Sequence, residues 1–484
     1  MTEEPGHGAV PPRQAGAALD LAARRRRRRR RRGVTRWLAA GTGVAVAAGL
    51  AWVAQDGSAW PRQASPGASA TSSPSASALA GRTPDLLQDR NAALRQLLLR
   101  RGRAVVKADE RGWLADVDPD PARSRPEAET FRRLRLLPWS TWRYDVVDTS
   151  VPLPPGPAQE WRTSAWAVQV QLSYRLSSDQ RDVHRTRTIV LRPLNGRWVI
   201  AMDLASGDTR DPWDLGRIAV LKGAHSLLVV PSAGRSKAAA YVADLEAARR
   251  QVNAVWRRQW PAVSVVYLPA DDKAMASMLG RSSVTGLDQV AAVTTGELLR
   301  GTGTADRIVL NPSAFAGFGK AERRVVLAHE LTHVATRASV RLAPPMWLEE
   351  GFADYVAYRS SGVSRELIAD SLIDKVRQGS APDHLPAAAD FDPRAGDIGP
   401  AYAGAWLAVD LIARTKGRAA LVRFYEQVCG LGAGASTASP TAVVAGQEDE
   451  RAREALDDQL DLSEQVFVDK WRQSVGALAQ EADS

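Results

Sequence analysis

One segment of the chain, residues 321–335, combines a strong helix pattern with polar side chains that an apolar helix cannot leave unpaired. The segment contains no Gly or Pro and is rich in helix-forming residues. Apolar residues surround this helix on most sides, so we expect His329, Glu330 and His333 to be buried. Buried imidazoles and a buried carboxylate need partners because they lose their hydration. The chain must therefore fold so that other polar groups, or a bound ion, meet this helix.

The spacing of the two histidines indicates what that partner is. Residues four apart lie one above the other on the same helix face, so His329 and His333 can both direct a ring nitrogen at one Zn²⁺ ion. Glu330 lies one step further round the helix, where it can take a proton from a water molecule that the metal activates. Two surface histidines on an amphipathic helix are the plain alternative. The apolar surroundings favour the metal, with His329 and His333 as ligands and Glu330 as the catalytic base.

A zinc hydrolase needs a third protein ligand and one open coordination position. Seventeen residues after His333 comes Glu350, within the sequence Trp-Leu-Glu-Glu-Gly-Phe-Ala-Asp that ends at Asp354. Together the two motifs resemble those of the gluzincin zinc metallopeptidases, which include thermolysin-like and aminopeptidase-like enzymes. The resemblance implies that Glu350, rather than Glu349, is the third ligand, and that Asp354 hydrogen-bonds a ligand histidine. An ordinary acidic helix face is the alternative.

Two further segments resemble parts of the same enzymes. Residues 401–412 form a segment rich in small residues that is similar to a helix which begins with a tyrosine in aminopeptidase-like gluzincins. The resemblance implies that Tyr402 stabilises the oxyanion formed by attack on a carbonyl, and core packing is the competing role. The strand around residues 306–310 resembles the edge strand on which these enzymes bind substrate by backbone pairing.

The resemblance implies a zinc metallopeptidase that hydrolyses peptide bonds, with Zn²⁺ as cofactor and a peptide or protein as substrate. The alternative function is a zinc-stabilised, catalytically inactive ectodomain that serves as a binding or scaffold module.

The composition of the chain excludes several other classes of protein. A hydrophobic share of 45% is too high for a wholly disordered chain. Cys429 is the single cysteine, which excludes an intrachain disulfide framework and a cysteine-based zinc finger.

The basic character of the chain belongs to its first residues. Residues 1–36 carry eleven arginines against three acidic residues, which is +8 of the formal net charge of +10. Because the rest of the chain is nearly neutral, we expect no nucleic-acid partner for the folded part. We interpret the arginine run as a cytoplasmic tail that determines membrane topology, and binding of anionic lipid or nucleic acid is the alternative.

An uncharged apolar segment, residues 37–54, follows the arginine run directly. At about 1.5 Å rise per residue, such a helix is just long enough to cross the hydrocarbon core of a thin bilayer. The flanking arginines predict a cytoplasmic N-terminus. We therefore expect a single-pass protein of the cell membrane with extracytoplasmic C-terminal domains. A cleaved signal peptide is the alternative.

The remaining chain is predicted to have an α+β fold in two domains. Residues 55–83 are rich in Ser, Pro and Ala and predict a flexible linker. Residues 84–115 predict one helix, and alternating segments with an Asn-Gly turn at Asn195 predict antiparallel strands after it. This order, over residues 84–205, resembles the cystatin-like cone of nuclear-transport-factor-2-like proteins. Residues 215–480 predict the metallopeptidase domain, a small mixed sheet with mainly helical structure.

Overall fold

The computed structural model describes residues 83–156, 164–295, 304–394, 396–431 and 447–482. The predicted cytoplasmic tail and membrane helix, and the linker apart from its last residue, lie outside these ranges. Within them, no helix has both the length and the apolar character needed to cross a membrane. The described chain is α+β, with about half of its residues in helices and with two small sheets.

The helices and strands are numbered here in chain order. The helices are α1 (Thr83–Val106), α2 (Glu110–Leu114), α3 (Pro121–Leu134), α4 (Pro212–Leu215), α5 (Arg235–Asn253), α6 (Asp272–Met278), α7 (Pro312–Gly317), α8 (Lys320–Arg337), α9 (Met346–Tyr358), α10 (Arg365–Ile368), α11 (Asp370–Arg377), α12 (Gly399–Lys416), α13 (Arg418–Val428), α14 (Gln447–Leu460) and α15 (Glu464–Glu481). The strands are β1 (Trp139–Asp148), β2 (Trp166–Leu176), β3 (Val183–Leu194), β4 (Arg197–Ala205), β5 (Ile218–Lys222), β6 (Ser226–Pro231), β7 (Ser264–Tyr267), β8 (Ala292–Thr295) and β9 (Arg307–Leu310).

The first sheet is an antiparallel meander in the order β1-β2-β3-β4. Asn195 and Gly196 join β3 to β4, and both have positive φ, 51° and 75°. A two-residue turn of type I′ needs positive φ at both positions, and Asn-Gly adopts it readily. The predicted hairpin is therefore confirmed.

The prediction of a single helix over residues 84–115 is wrong. The chain breaks after Val106, Ala108 takes a φ of 53°, and a separate short helix begins after Asp109. The side chain of Asp109 caps α2 by accepting a hydrogen bond of 2.9 Å from the N–H of Gly112. Val105 and Trp113, on either side of the break, are buried in the same core. The helical spacing of apolar residues therefore continues across the break, and the sequence pattern gives no sign of it.

The second sheet has the order β5-β6-β7-β9-β8, with β6, β7 and β9 parallel and the two outer strands antiparallel to their neighbours. The expectation that residues 306–310 form the edge strand is wrong, because β9 lies between β7 and β8. The outer strand is β8, which pairs with β9 through Ala292 and Leu310. The short apolar run of β9 predicted a strand but could not predict which strand would pair with its outer side.

The two faces of the second sheet pack against different partners. Along β6, Leu228 and Val230 belong to the large core formed with the helices, including α5, α8 and α9. Leu227 and Val229 belong to a cluster that also contains aromatic residues of the first sheet. This alternation is the period of two that a strand imposes. The second sheet therefore lies between the first domain and the helical layer, and it supports α8 on the helical side.

Candidate metal centre

Helices α8 and α9 bring the predicted site residues together. Helix α8 begins at Lys320, where the carboxylate of Glu322 accepts a hydrogen bond from the N–H of Gly319. Its second half is buried on all sides, and His329, Glu330 and His333 are 0%, 0% and 1% exposed. Helix α9 packs beside α8 and carries Glu350, which is also 0% exposed.

The three predicted ligands converge on one point. The Nε2 atoms of His329 and His333 are 3.0 Å apart. Oε2 of Glu350 lies 3.2 Å from Nε2 of His329 and 3.6 Å from Nε2 of His333. The ligand atoms of all three residues lie within 4.8 Å of one another, close enough to share one metal ion. Two imidazole nitrogens and one carboxylate form a donor set typical of catalytic zinc sites.

The carboxylate of Glu350 supports a cation at this point. Both of its oxygens are buried, and neither has a hydrogen-bond partner. A buried carboxylate without hydrogen bonds carries a large desolvation cost unless a positive charge compensates it. The residues present therefore fit a divalent cation coordinated by His329, His333 and Glu350.

A carboxylate faces the second ring nitrogen of each histidine. Oδ1 of Asp354 lies 2.8 Å from Nδ1 of His329. Oε1 of Glu349 lies 3.4 Å from Nδ1 of His333 and 3.3 Å from Nη2 of Arg337. Such partners hold the Nδ1–H tautomer and leave the Nε2 lone pair for a metal. No role was assigned to Glu349 from the sequence. Its position directly before Glu350 on the same helix could have indicated that it lies near the ligands.

Glu330 has one engaged oxygen and one free oxygen. The hydroxyl of Thr294, on β8, donates a hydrogen bond of 2.5 Å to Oε2 of Glu330. Oε1 of Glu330 is buried without a hydrogen-bond partner. Thr294 was also missed, because the contact joins a strand and a helix that lie far apart in the sequence. One carboxylate oxygen is thus held in position while the other stays available to accept a proton.

The charges around the site shift its pKa values strongly. Burial alone would lower the pKa of His329, but Asp354 and Glu350 outweigh it and raise that pKa well above its usual range. Burial opposes ionisation of Glu349, yet His333 and Arg337 lower its pKa to about 2. Burial also raises the pKa of Glu330. The negative charge gathered at the ring nitrogens is the setting that a divalent cation satisfies.

Tyr402, near the start of α12, lies beside the candidate ligands. Its ring centroid is 6.4 Å from that of His329 and 5.0 Å from that of Phe391, and its side chain is 2% exposed. Burial, together with Glu350 and Asp354, raises the pKa of Tyr402 well above its usual range, so its hydroxyl keeps its proton. Oxyanion stabilisation by Tyr402 stays a prediction, as does the competing packing role.

No protein-family model matches the chain, and no curated protein matches it. Among solved structures, the chain is similar to a mutant of an M1 zinc metallopeptidase from Deinococcus radiodurans, with 15% identity and a TM-score of 0.28. That similarity covers 65% of this chain and 61% of the peptidase chain. A Mycobacterium tuberculosis protein of unknown function is similar at 14% identity and a TM-score of 0.20, over 26% of this chain and 75% of its own. Both similarities are distant.

Proposed function

We propose that this chain is a zinc-dependent metallopeptidase, with His329, His333 and Glu350 as the metal ligands. The observation that carries the proposal is their convergence around a buried carboxylate whose two oxygens have no hydrogen-bond partner. The carboxylates behind both histidines, and the free oxygen of Glu330 beside them, support the same conclusion. The distant likeness to a zinc metallopeptidase agrees with it and adds no weight of its own.

Bound Zn²⁺ would supply a Lewis acid that polarises the substrate carbonyl and lowers the pKa of a water molecule towards roughly 7. Oε1 of Glu330 accepts the proton of the attacking water and then delivers it to the nitrogen of the leaving amine. Thr294 holds the other oxygen of Glu330 during both transfers. The hydroxyl of Tyr402 donates a hydrogen bond to the oxyanion. The products are a carboxylic acid and an amine.

The test separates metal binding from turnover. Wild-type protein is expected to bind one Zn²⁺ and to cleave members of a fluorogenic peptide library, with activity lost on chelation and restored by Zn²⁺. Glu330→Gln is expected to keep the metal and lose hydrolysis. Glu454→Gln, the same change at an exposed position of α14, serves as the control and should keep both. Turnover retained in Glu330→Gln would remove the proposed mechanism.

One observation favours the alternative function, a zinc-stabilised binding or scaffold module without turnover. His329, Glu330, His333 and Glu350 are each at most 1% exposed, whereas a peptidase must admit its substrate to them. If the wild-type protein binds zinc and loses thermal stability on chelation, yet cleaves no library member, the scaffold function holds.

We also propose that the chain is anchored in the cell membrane by residues 37–54, with the domains after them outside the cytoplasm. The support is the uncharged segment behind a run of arginines. Full-length protein should fractionate with membranes, and its C-terminal part should be digested by protease added outside the cells. Deletion of residues 1–54 should release the protein from membranes. A shortened mature N-terminus in the native protein would instead indicate signal-peptide cleavage.

A further inference from the structure

A second polar centre lies beside the first sheet, and it does not include the metal ligands. It is a cavity of about 280 Å³ between the first sheet and helices α1, α2 and α3, with α4 on one side. None of the candidate metal ligands lines it, and it goes beyond the proposed peptidase function. The side chains that decide its chemistry are Arg101, Arg133, Arg187, Asp203, Asp214 and Trp213.

Arg101 is one of the arginines that line this cavity, and its side chain is 1% exposed. One nitrogen, Nη2, donates hydrogen bonds to Glu127 and to Asp203, at 2.7 and 2.8 Å. The other two nitrogens, Nε and Nη1, are buried without a partner. The ring of Trp113 lies against the guanidinium, 3.3 Å from its central carbon, and so holds it in place. A buried guanidinium with two unused donors is unusual, because buried donors are almost always paired.

Two of the three carboxylates that line the cavity, Asp203 and Asp214, are already engaged by donors other than the unused ones of Arg101. The second oxygen of Asp203 accepts a hydrogen bond of 2.6 Å from Nε of Arg187. Asp214 accepts hydrogen bonds from Nη1 of Arg187 at 3.2 Å and from the N–H of Asp211 at 3.3 Å.

Further donors on the cavity wall also lack partners. Nε of Arg133 and Nε1 of Trp213 are buried and meet no acceptor. Four arginines line the cavity against three carboxylates, which leaves one positive charge in excess. The lining residues thus carry one positive charge in excess and several buried donors without a hydrogen-bond partner.

We infer that this cavity binds a small organic monocarboxylate with a planar apolar body. A carboxylate accepts hydrogen bonds and donates none, which matches the unused donors of Arg101 and Arg133. Its single charge matches the excess of one. The apolar body packs against Trp142, Trp213 and Leu134, which form the apolar wall. A phosphate dianion would overcompensate the charge and leave that wall without a partner.

The inference is tested by isothermal titration calorimetry on the full-length chain in detergent. The probes are acetate, benzoate and indole-3-acetate, with benzamide as the neutral analogue of benzoate and inorganic phosphate as the alternative anion. Two variants address different parts of the cavity. Arg133→Gln removes a charge and a donor, and Ala205→Phe fills the cavity without changing any polar group. Arg132→Gln is the matched control, because Arg132 is the 62% exposed neighbour on α3 and does not line the cavity.

Saturable binding of benzoate or indole-3-acetate, with benzamide and phosphate weaker, is the expected result. Arg133→Gln should weaken binding of the carboxylate at least about tenfold, because hydrogen bonds to charged groups contribute more than those between neutral groups. Ala205→Phe should abolish binding, and Arg132→Gln should leave it unchanged. Circular dichroism and thermal melting would verify that the variants fold. The inference is overturned if no carboxylate binds saturably, if benzamide or phosphate binds as well as benzoate, or if folded cavity variants bind like the control.

Discussion

The hydroxyl of Thr294, on the outer strand β8, lies 2.5 Å from Oε2 of Glu330 on helix α8. The backbone carbonyl of the same threonine lies 3.4 Å from Nη1 of Arg337, one end of the chain of contacts that runs through Glu349 to His333. One residue of the outer strand thus touches both the proposed base and the support of a proposed ligand. This links the position of the second sheet directly to the geometry of the candidate site.

Thr294→Val tests this link. Valine keeps the shape but removes the hydroxyl that holds the carboxylate of Glu330, so kcat is expected to fall about tenfold or more with bound zinc unchanged. Thr295→Val is the control, because that hydroxyl donates to the carbonyl of Arg307 instead. Zinc content and peptide hydrolysis would be measured on both. Equal activity of the two variants would show that the hydroxyl does not position the base.

Asp354→Asn is expected to weaken zinc binding by about 10–100-fold, because the amide is a poorer partner for Nδ1 of His329 and lowers the basicity of the ring. The observed contact is 2.8 Å long and fully buried. Competition with a chelator of known affinity measures the effect. Asp374→Asn, at a carboxylate 54% exposed on α11, should bind zinc like the wild type. Unchanged affinity in Asp354→Asn would contradict the assigned support role.

Tyr402→Phe distinguishes its two predicted roles. If the hydroxyl stabilises the oxyanion, kcat should fall by about 10²–10³ with little change in zinc content or melting temperature. If the ring only packs, activity should stay near wild type. Tyr241→Phe is the control, since its hydroxyl contacts the carbonyl of Phe315, outside the site.

Gly351 permits the close approach of α9 and α12. A Cβ at this position would lie 2.3 Å from the carbonyl oxygen of Ala405. This oxygen belongs to the backbone of α12, so it cannot move aside by a side-chain rotation. Gly351→Ala is therefore expected to destabilise the protein by about 1–3 kcal/mol and to weaken zinc binding through the adjacent Glu350. Gly476→Ala, within α15, meets nothing within 4 Å and should stabilise the protein by about 0.5–1 kcal/mol. Denaturant unfolding measures the change in unfolding free energy for both variants. Changes of the same sign in the two variants would refute the packing argument.

Asp118 provides a pH-dependent contribution to stability. Hydrogen bonds from Arg192, at 2.6 and 3.0 Å, are the main cause of a lowered pKa at this buried carboxylate. A lowered folded-state pKa stabilises the protein above the unfolded pKa, roughly 3.9, and this contribution is lost as the pH falls through the folded value.

Asp118→Asn should therefore cost about 2 kcal/mol of unfolding free energy at neutral pH. The difference from wild type should shrink as the pH falls below about 4. Urea unfolding across this pH range measures it, with the exposed Asp457→Asn as the control. A difference that is constant with pH would contradict the assignment.

Local patterns determined the parts of the site that lie within one helix. Four-residue spacing alone puts His329 and His333 on one face, and the apolar residues between them make their burial predictable. The resemblance then indicated Glu350 and Asp354, and the structure brings both to His329. Thr294 and Glu349 could not be assigned in the same way, because their roles depend on how β8 and α9 pack against α8.

The same division applies to the fold. The alternation of apolar residues predicted the strands, and Asn195-Gly196 predicted the hairpin, because both depend on neighbours in the chain. The strand order did not follow from periodicity, because a strand buried on both faces has the same apolar sequence pattern at the edge of a sheet as in its middle. Tertiary structure alone decided that β8 covers β9 and that Arg101 lines a cavity with two of its nitrogens unpaired. Both depend on contacts between segments distant in sequence, where packing and the pairing of buried polar groups outweigh local preference.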